Sequence, residues 1–255
     1  MPEQVHHTIV TSGHGPNLVL IHGLGGSHAS WNEIEHQLKE SFRIIRYDLR
    51  GHGKSHNPTG PWDLEDFLHD LQEVYRQADI QKAHVVGFSL GGLIAQKLAI
   101  EEPNKIDRLV ILSAVAGRTE QEKLRVQERI KNLEAGDLET NKELALERWF
   151  SPEFRQSNPD KVKARLDALN QVDPTGYMNA YRVFGLGDLA DDLARIIHKT
   201  LVMTGEHDPG SNIRMAELMH QSIPNSEMEI LTGLRHSLLV EAPELVASKL
   251  KTFLD

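Results

Sequence analysis

The chain has 255 residues, 39% of them hydrophobic and 25% charged, with 37 acidic against 28 basic side chains and no cysteine. That length and apolar content suit one large α/β domain or a core with an inserted lobe, and they exclude general disorder. The missing cysteine excludes disulfides, thiolate metal sites and a cysteine nucleophile, while a net charge of −9 argues against nucleic acid, whose phosphates need a basic face.

The N-terminal MPEQVHHTIV lacks the basic patch and long apolar stretch of a signal peptide, and no window approaches the roughly 20 apolar residues of a membrane span. A soluble, cytoplasmic protein without a membrane partner is expected. The first predicted strand is NLVLIHG (17–23), followed by a helix over WNEIEHQLKE with Ser30 as its expected cap. FRIIRYD (42–48) is the next strand. PWDLEDFLHDLQEVYRQAD then spaces Leu64, Phe67, Leu68, Leu71 and Val74 three and four apart, the period of an amphipathic helix. AHVVGF (83–88) and DRLVILS (107–113) are further short Val- and Ile-rich strands, with a helix over LGGLIAQKLAIEEP running on from Ser89 between them.

From 117 to 189 the chain is rich in Glu, Lys, Arg and Leu at helical spacing and carries no strand signal. It is expected to be a helical cap inserted between the sixth and seventh strands of the core, which comprises 1–116 and 190–255. Residues 117–190 hold 12 basic and 13 acidic side chains, so nearly all the net negative charge falls on the core. KTLVMTG (199–205) and SEMEILTG (226–233) resume the strands, and PELVASKLKTFL closes the chain as a helix. Strands alternating with helices imply a mostly parallel sheet covered on both faces.

The most informative stretch is Gly87-Phe88-Ser89-Leu90-Gly91, between a β-branched run and a helical pattern. A serine on a sharp strand-to-helix turn needs small neighbours, and the turn lifts its hydroxyl clear of the sheet edge. The helix start beyond it offers free N–H groups and a positive dipole end to a developing oxyanion. Ser89 is therefore the candidate nucleophile; the alternative is a serine that merely caps a helix.

Four motifs in this order resemble the α/β-hydrolase family: His22-Gly23-Leu24-Gly25-Gly26-Ser27, then Asp48-Leu49-Arg50-Gly51-His52-Gly53-Lys54-Ser55, then the Ser89 turn, then a late Asp followed by a His. The resemblance covers nearly the whole chain. It implies the α/β-hydrolase fold, and an oxyanion hole made by the backbone N–H groups of Leu24 and Leu90. Among the 14 histidines, His236 is the expected base, because it follows a strand, precedes the final helix and sits in a run similar to the family's. Asp208, directly beyond the preceding strand, is the expected acid, and the order Ser89, Asp208, His236 is the one this fold uses. Glu206 and His207 are the neighbouring competitors. The other position for an acid, after DRLVILS, holds Ser113 and Ala114 and no carboxylate.

Other motifs fail on spacing. Gly23-x-Gly25 meets His28 where a dinucleotide loop needs its third glycine, and Gly53-Lys54-Ser55 meets Asp48 where a phosphate loop needs its first. His52 and His56 lie in a Gly- and Pro-rich loop, and no HExxH occurs, so no metal and no cofactor are expected. Asp48, Arg50 and His22 read as structural residues of their turns.

Within the family the chain is most similar to 3-oxoadipate enol-lactonases and related small hydrolases of ring-cleavage pathways. Glu147-Arg148-Trp149-Phe150-Ser151-Pro152-Glu153-Phe154 and Gly176-Tyr177-Met178-Asn179-Ala180-Tyr181 carry that similarity, which points to Trp149 and Tyr181 as substrate contacts. A small carboxylate-bearing substrate needs a cation, and Arg148, Arg182 and Arg235 are the candidates. Arg235 stands where the family often has a small residue. Hydrolysis of an enamide dicarboxylate, carbon–carbon cleavage and plain esterase activity share the same triad, and a non-catalytic binding protein on this fold is the alternative from another class.

Overall fold

The computed structural model describes residues 5–135 and 138–255. Seven strands form one sheet: β1 (Ile9–Ser12), β2 (Asn17–Ile21), β3 (Arg43–Tyr47), β4 (Ala83–Phe88), β5 (Ile106–Leu112), β6 (Lys199–Gly205) and β7 (Ser226–Leu231). Their spatial order is β1-β3-β2-β4-β5-β6-β7, with β1 antiparallel to β3 and every other pair parallel.

Alternation along each strand sends successive side chains to opposite faces, and both faces are apolar. Val19, Ile21, Ile45, Val85, Leu109, Ile111 and Val202 join one buried cluster. This cluster also takes in α2 (Leu64–Gln77), α3 (Leu90–Glu101) and α9 (Ile213–Ser222). Leu18, Leu20, Ile44, Val86, Val110, Leu112, Leu201 and Met203 point the other way, onto α1 (Asn32–Leu38) and α11 (Pro243–Leu254), with α10 (Leu238–Glu241) leading into the latter. Each of these strand side chains is nearly or fully buried, about 1.5–3 kcal/mol apiece in transfer free energy, so the register is strongly specified.

The expected strands are all present, within a few residues. The structure differs from expectation in two places. Ser30 does not cap α1: Ser27 caps a 3₁₀ turn over His28–Trp31, Ser30 returns the bond by accepting the Ser27 N–H, and α1 begins only at Asn32. The helical insertion follows the fifth strand in chain order, not the sixth, although it leaves from the DRLVILS strand as expected. Between β5 and β6 lie α4 (Glu120–Glu134), α5 (Leu138–Trp149), α6 (Pro152–Ser157), α7 (Pro159–Asn170) and α8 (Pro174–Leu186). Ala145, Trp149, Phe150 and Val162 form a small core of their own there. Among the described residues no helix is long and apolar enough to cross a membrane.

Candidate active site

Parallel strands deliver their C-terminal ends to one edge of the sheet, where an α/β fold places its sites. Ser89 leaves the end of β4 with φ +57° and ψ −114°, a conformation L-residues avoid at a cost of about 1–3 kcal/mol. Its N–H donates to the Leu112 carbonyl at 2.8 Å, and no room remains around the turn. A Cβ on Gly87 would strike the Gly91 carbonyl, one on Gly91 would strike the Ile21 carbonyl, and one on Gly23 would lie 3.0 Å from the Ser89 Cβ. The glycines are what let three backbone segments converge on this serine.

His236 lies in the loop after β7 with its ring 5.2 Å from that of Phe88. Its Nε2 is 3.2 Å from Ser89 Oγ, and its Nδ1 is 2.6 Å from Asp208 Oδ2. The carboxylate accepts at Nδ1, which places the ring proton there and leaves Nε2 free to accept from the serine hydroxyl. Asp208 Oδ1 is held by the N–H groups of Gly210 at 2.9 Å and Ser211 at 3.0 Å. Burial pushes the Asp208 carboxyl up, but His236 and the two amide donors outweigh it and hold the group below its ordinary value. It is ionised at neutral pH.

Glu206 and His207 face elsewhere: Glu206 accepts the Gly233 N–H at 2.8 Å, and the exposed His207 ring lies 3.9 Å from Glu206. The Leu24 and Leu90 N–H groups make no hydrogen bond among the described residues. Leu90 is the first residue of α3, so its N–H has no carbonyl a turn earlier within the helix. Leu24 lines the same cavity as Ser89 and His236. This arrangement can take a proton from a hydroxyl and offer donors to an oxyanion.

That cavity has a volume of about 540 Å³. Of the expected substrate contacts, Arg148, Trp149 and Tyr181 line it, while Arg182 and Arg235 do not. Arg182 is paired with Glu134 at 2.5 Å, and the Arg235 side chain donates to the Glu147 carbonyl. Sequence adjacency to His236 did not aim Arg235 inward. Four further arginines, which no motif of the sequence marks, line the wall: Arg118, Arg125, Arg129 and Arg165. With Arg148 they oppose two acidic side chains, Glu122 and Glu128, so a chain of net charge −9 encloses a cationic cavity. Arg118 is buried and donates to the Gly187 carbonyl at 2.7 Å and the Phe184 carbonyl at 2.8 Å. Arg165 was legible in principle, since it lies on the stripe Val162, Leu166, Leu169 that α7 turns toward apolar neighbours.

Beneath the site the motif residues brace turns. Asp48 accepts from the His28 N–H at 2.7 Å, the His28 ring at 2.8 Å and the Lys54 N–H at 2.9 Å. Arg50 grips Asp70 with two bonds of 2.6 and 2.8 Å. His22 Nε2 accepts the Leu49 N–H at 3.0 Å, so Nδ1 carries the proton and donates to the Gly23 carbonyl at 2.7 Å. His52 likewise accepts the Gly25 N–H at 3.0 Å and donates to the Arg50 carbonyl at 2.9 Å. Both rings are buried and neutral. Burial first, then the neighbouring His52, lowers His22 from 6.5 to about 3, and burial lowers His52 to about 4.

The unfolded chain protonates both rings below about pH 6.5, whereas the native state does not until about 4 and 3. Stability is therefore unaffected by them above 6.5 and falls as the pH drops through that window. The urea midpoint is expected to be lower at pH 4.5 than at pH 7, with a smaller drop in His52→Gln. Equal slopes in the two proteins would contradict a neutral, buried His52.

A family model described as alpha/beta hydrolase fold matches residues 16–243. Among similar proteins, the (E)-2-((N-methylformamido)methylene)succinate hydrolase of Acinetobacter baylyi is 30% identical over 246 residues, which is 95% of this chain and 92% of that protein. The 3-oxoadipate enol-lactonase 1 of the same organism is 29% identical over 90% of this chain and 85% of its own length. The crystal structure of a hydrolase from Pseudomonas aeruginosa PA01 superposes with a TM-score of 0.90 at 28% identity, covering 98% of this chain and 94% of that one. With its sheet order, its Ser89 turn and these matches across nearly its full length, the chain belongs to the α/β-hydrolase fold family.

Proposed function

We propose that the protein is a serine hydrolase that cleaves an ester or lactone bond of a small, carboxylate-bearing molecule. One observation carries this reading: a single imidazole bridges the Ser89 hydroxyl, at 3.2 Å, and the buried Asp208 carboxylate, at 2.6 Å. His236 Nε2 takes the Ser89 proton as Oγ attacks the substrate carbonyl. Asp208 keeps the ring in the required tautomer and stabilises the imidazolium. The Leu24 and Leu90 N–H groups hold the oxyanion, His236 returns the proton to the leaving oxygen, and water attacks the acyl-serine by the same route.

The net positive lining of the cavity supports an anionic substrate, since a cation in a partly closed space that is not already spent on backbone carbonyls, as Arg118 and Arg165 are, gains most from a carboxylate. Arg148, Trp149 and Tyr181 are the contacts we assign to it. Residues 117–189 act in this proposal as a cap over a core of 1–116 and 190–255, and the protein works in the cytoplasm. The relative named as a succinate derivative's hydrolase supports a second reading, cleavage of an amide in a dicarboxylate. There the leaving amine depends more heavily on the proton that His236 returns.

The test is a serine-reactive fluorophosphonate, followed by a panel of small esters, lactones and amides, each in neutral and carboxylate forms. We expect one label, at Ser89, and a kcat/KM for the carboxylate forms at least about tenfold above the neutral ones, as one charge-assisted hydrogen bond confers. Labelling elsewhere would remove the mechanism. Equal rates for both forms would remove the substrate class.

A further inference from the structure

The loop His22–Ser27 presents the Leu24 N–H to the site, yet Gly23, Gly25 and Gly26 leave its backbone unusually free, with Gly25 at φ +68°. Such a loop keeps one peptide orientation only if its other polar groups are held. From the core side the hold is clear. The Gly23 carbonyl, in the same peptide group as the Leu24 N–H, accepts from His22 at 2.7 Å and from the Gly26 N–H at 3.1 Å. The Gly25 N–H donates to His52 at 3.0 Å.

From the other side comes Arg165 of α7, some 140 residues away in sequence. Its Nη1 donates to the Gly25 carbonyl at 2.9 Å and its Nη2 to the Leu24 carbonyl at 3.2 Å. The Leu24–Gly25 peptide is thus gripped at both ends, its N–H by His52 and its carbonyl by Arg165. The contact is close-packed. A Cβ on Gly25 would lie 2.8 Å from Leu169 and 3.3 Å from Tyr177, both beyond residue 117.

Arg165 has no carboxylate partner among the described residues, and its guanidinium lies 4.1 Å from the centre of the Trp149 ring. Burial lowers its pKa to about 10, so it remains a cation at neutral pH. Two successive carbonyls suit a planar fork of donors, whereas a lysine ammonium is a point charge that matches that pair less well. A cation lining a cavity invites the simple view that it awaits a substrate anion. Its bonds here already serve the loop.

Resting on the reading of Ser89 as nucleophile, we propose that Arg165 is a positioning residue: it fixes the oxyanion loop from the helical insertion and makes the hole depend on that insertion being seated. The consequence is a loss of turnover even for substrates that carry no charge. Arg165→Met keeps a stem to pack on Trp149 and removes the donors, while Arg165→Lys keeps the charge and loses the fork.

With p-nitrophenyl acetate, which is neutral, Arg165→Met is expected to lower kcat by about 10- to 100-fold, with KM within about threefold. Arg165→Lys is expected to fall between it and the wild type. Amide hydrogen exchange should accelerate at Gly25 and Gly26 in both variants while the sheet stays protected. The proposal is overturned if kcat on p-nitrophenyl acetate and exchange in residues 23–26 both match the wild type. A rise in KM for mono-p-nitrophenyl glutarate alone would then make Arg165 a carboxylate contact only. If the Met variant does not fold, the Lys variant decides by the same two readouts. If the wild type neither turns over esters nor takes a phosphonate, the nucleophile reading fails, and exchange at Gly25 and Gly26 still decides whether Arg165 holds the loop.

Discussion

Replacing Ser89 with alanine is expected to lower kcat by on the order of 10⁴- to 10⁶-fold, because every later step of the proposed reaction passes through the acyl-serine. The fold should survive, since among the described residues the hydroxyl's side-chain partner is His236, and that ring remains anchored by Asp208. A sharper expectation concerns glycine at the same position. Ser89 and its alanine replacement share the φ of +57° that costs an L-residue about 1–3 kcal/mol, and glycine relieves it. Glycine also makes the unfolded chain more flexible, which offsets about 0.5–1 kcal/mol. The larger effect wins. Ser89→Gly should therefore be as inactive as Ser89→Ala yet melt about 2–4 °C higher, the shift that about 1 kcal/mol produces in a protein of this size. A Ser89→Ala protein with more than about 1% of wild-type turnover would end the nucleophile assignment. A Ser89→Gly protein melting no higher would show that the turn stores no strain.

The parts of this arrangement that were legible in the sequence are those fixed by local rules. Buried parallel strands read as short β-branched runs, and the ends of β4, β6 and β7 carry Ser89, Asp208 and His236 to one sheet edge in an order that needs no knowledge of side-chain direction. β1 gives no such signal, because Ile9–Ser12 is a four-residue edge strand, half-exposed and of mixed polarity, with none of the apolar run that a central strand shows. Serines at 27 and 30 both precede an apolar pattern, so the sequence does not tell Ser27, the cap, from Ser30. The extra 3₁₀ turn between them leaves no trace in composition.

The arginines divide by a different rule. Arg182 is a candidate by its place in the insertion and Arg235 by its place beside His236, yet each has a partner outside the cavity, in Glu134 and the Glu147 carbonyl. What marks Arg165 is position on a helix face: it shares the stripe of Val162, Leu166 and Leu169, where a charged residue is costly unless something receives it. Its receivers, the Leu24 and Gly25 carbonyls, lie about 140 residues earlier, and only tertiary structure supplies them.

Asp208→Asn is expected to lower kcat by about 10³- to 10⁴-fold while leaving the melting temperature nearly unchanged, because the carboxylate's orientation is fixed by more than His236. Oδ1 accepts two backbone N–H groups, from Gly210 at 2.9 Å and Ser211 at 3.0 Å. An asparagine that kept those bonds would turn its NH₂ toward His236 Nδ1. The reverse orientation sets that NH₂ against two donors, the worse of the two conflicts. The amide then forces Nδ1 to accept and puts the ring proton on Nε2, which faces Ser89 Oγ at 3.2 Å and can no longer take its proton. Asp208→Ala separates this electronic effect from a structural one. It leaves the Gly210 and Ser211 N–H groups without that acceptor; Gly210 is exposed and can turn to water, but the Ser211 donor is buried and costs about 1–3 kcal/mol unpaired, so Asp208→Ala should melt a few degrees lower than Asp208→Asn. Measuring kcat and melting temperature on both variants separates the outcomes. An Asn variant with a tenth or more of wild-type turnover would remove Asp208 from the proposed reaction, and equal melting of the two variants would remove the two N–H groups as the reason for its orientation.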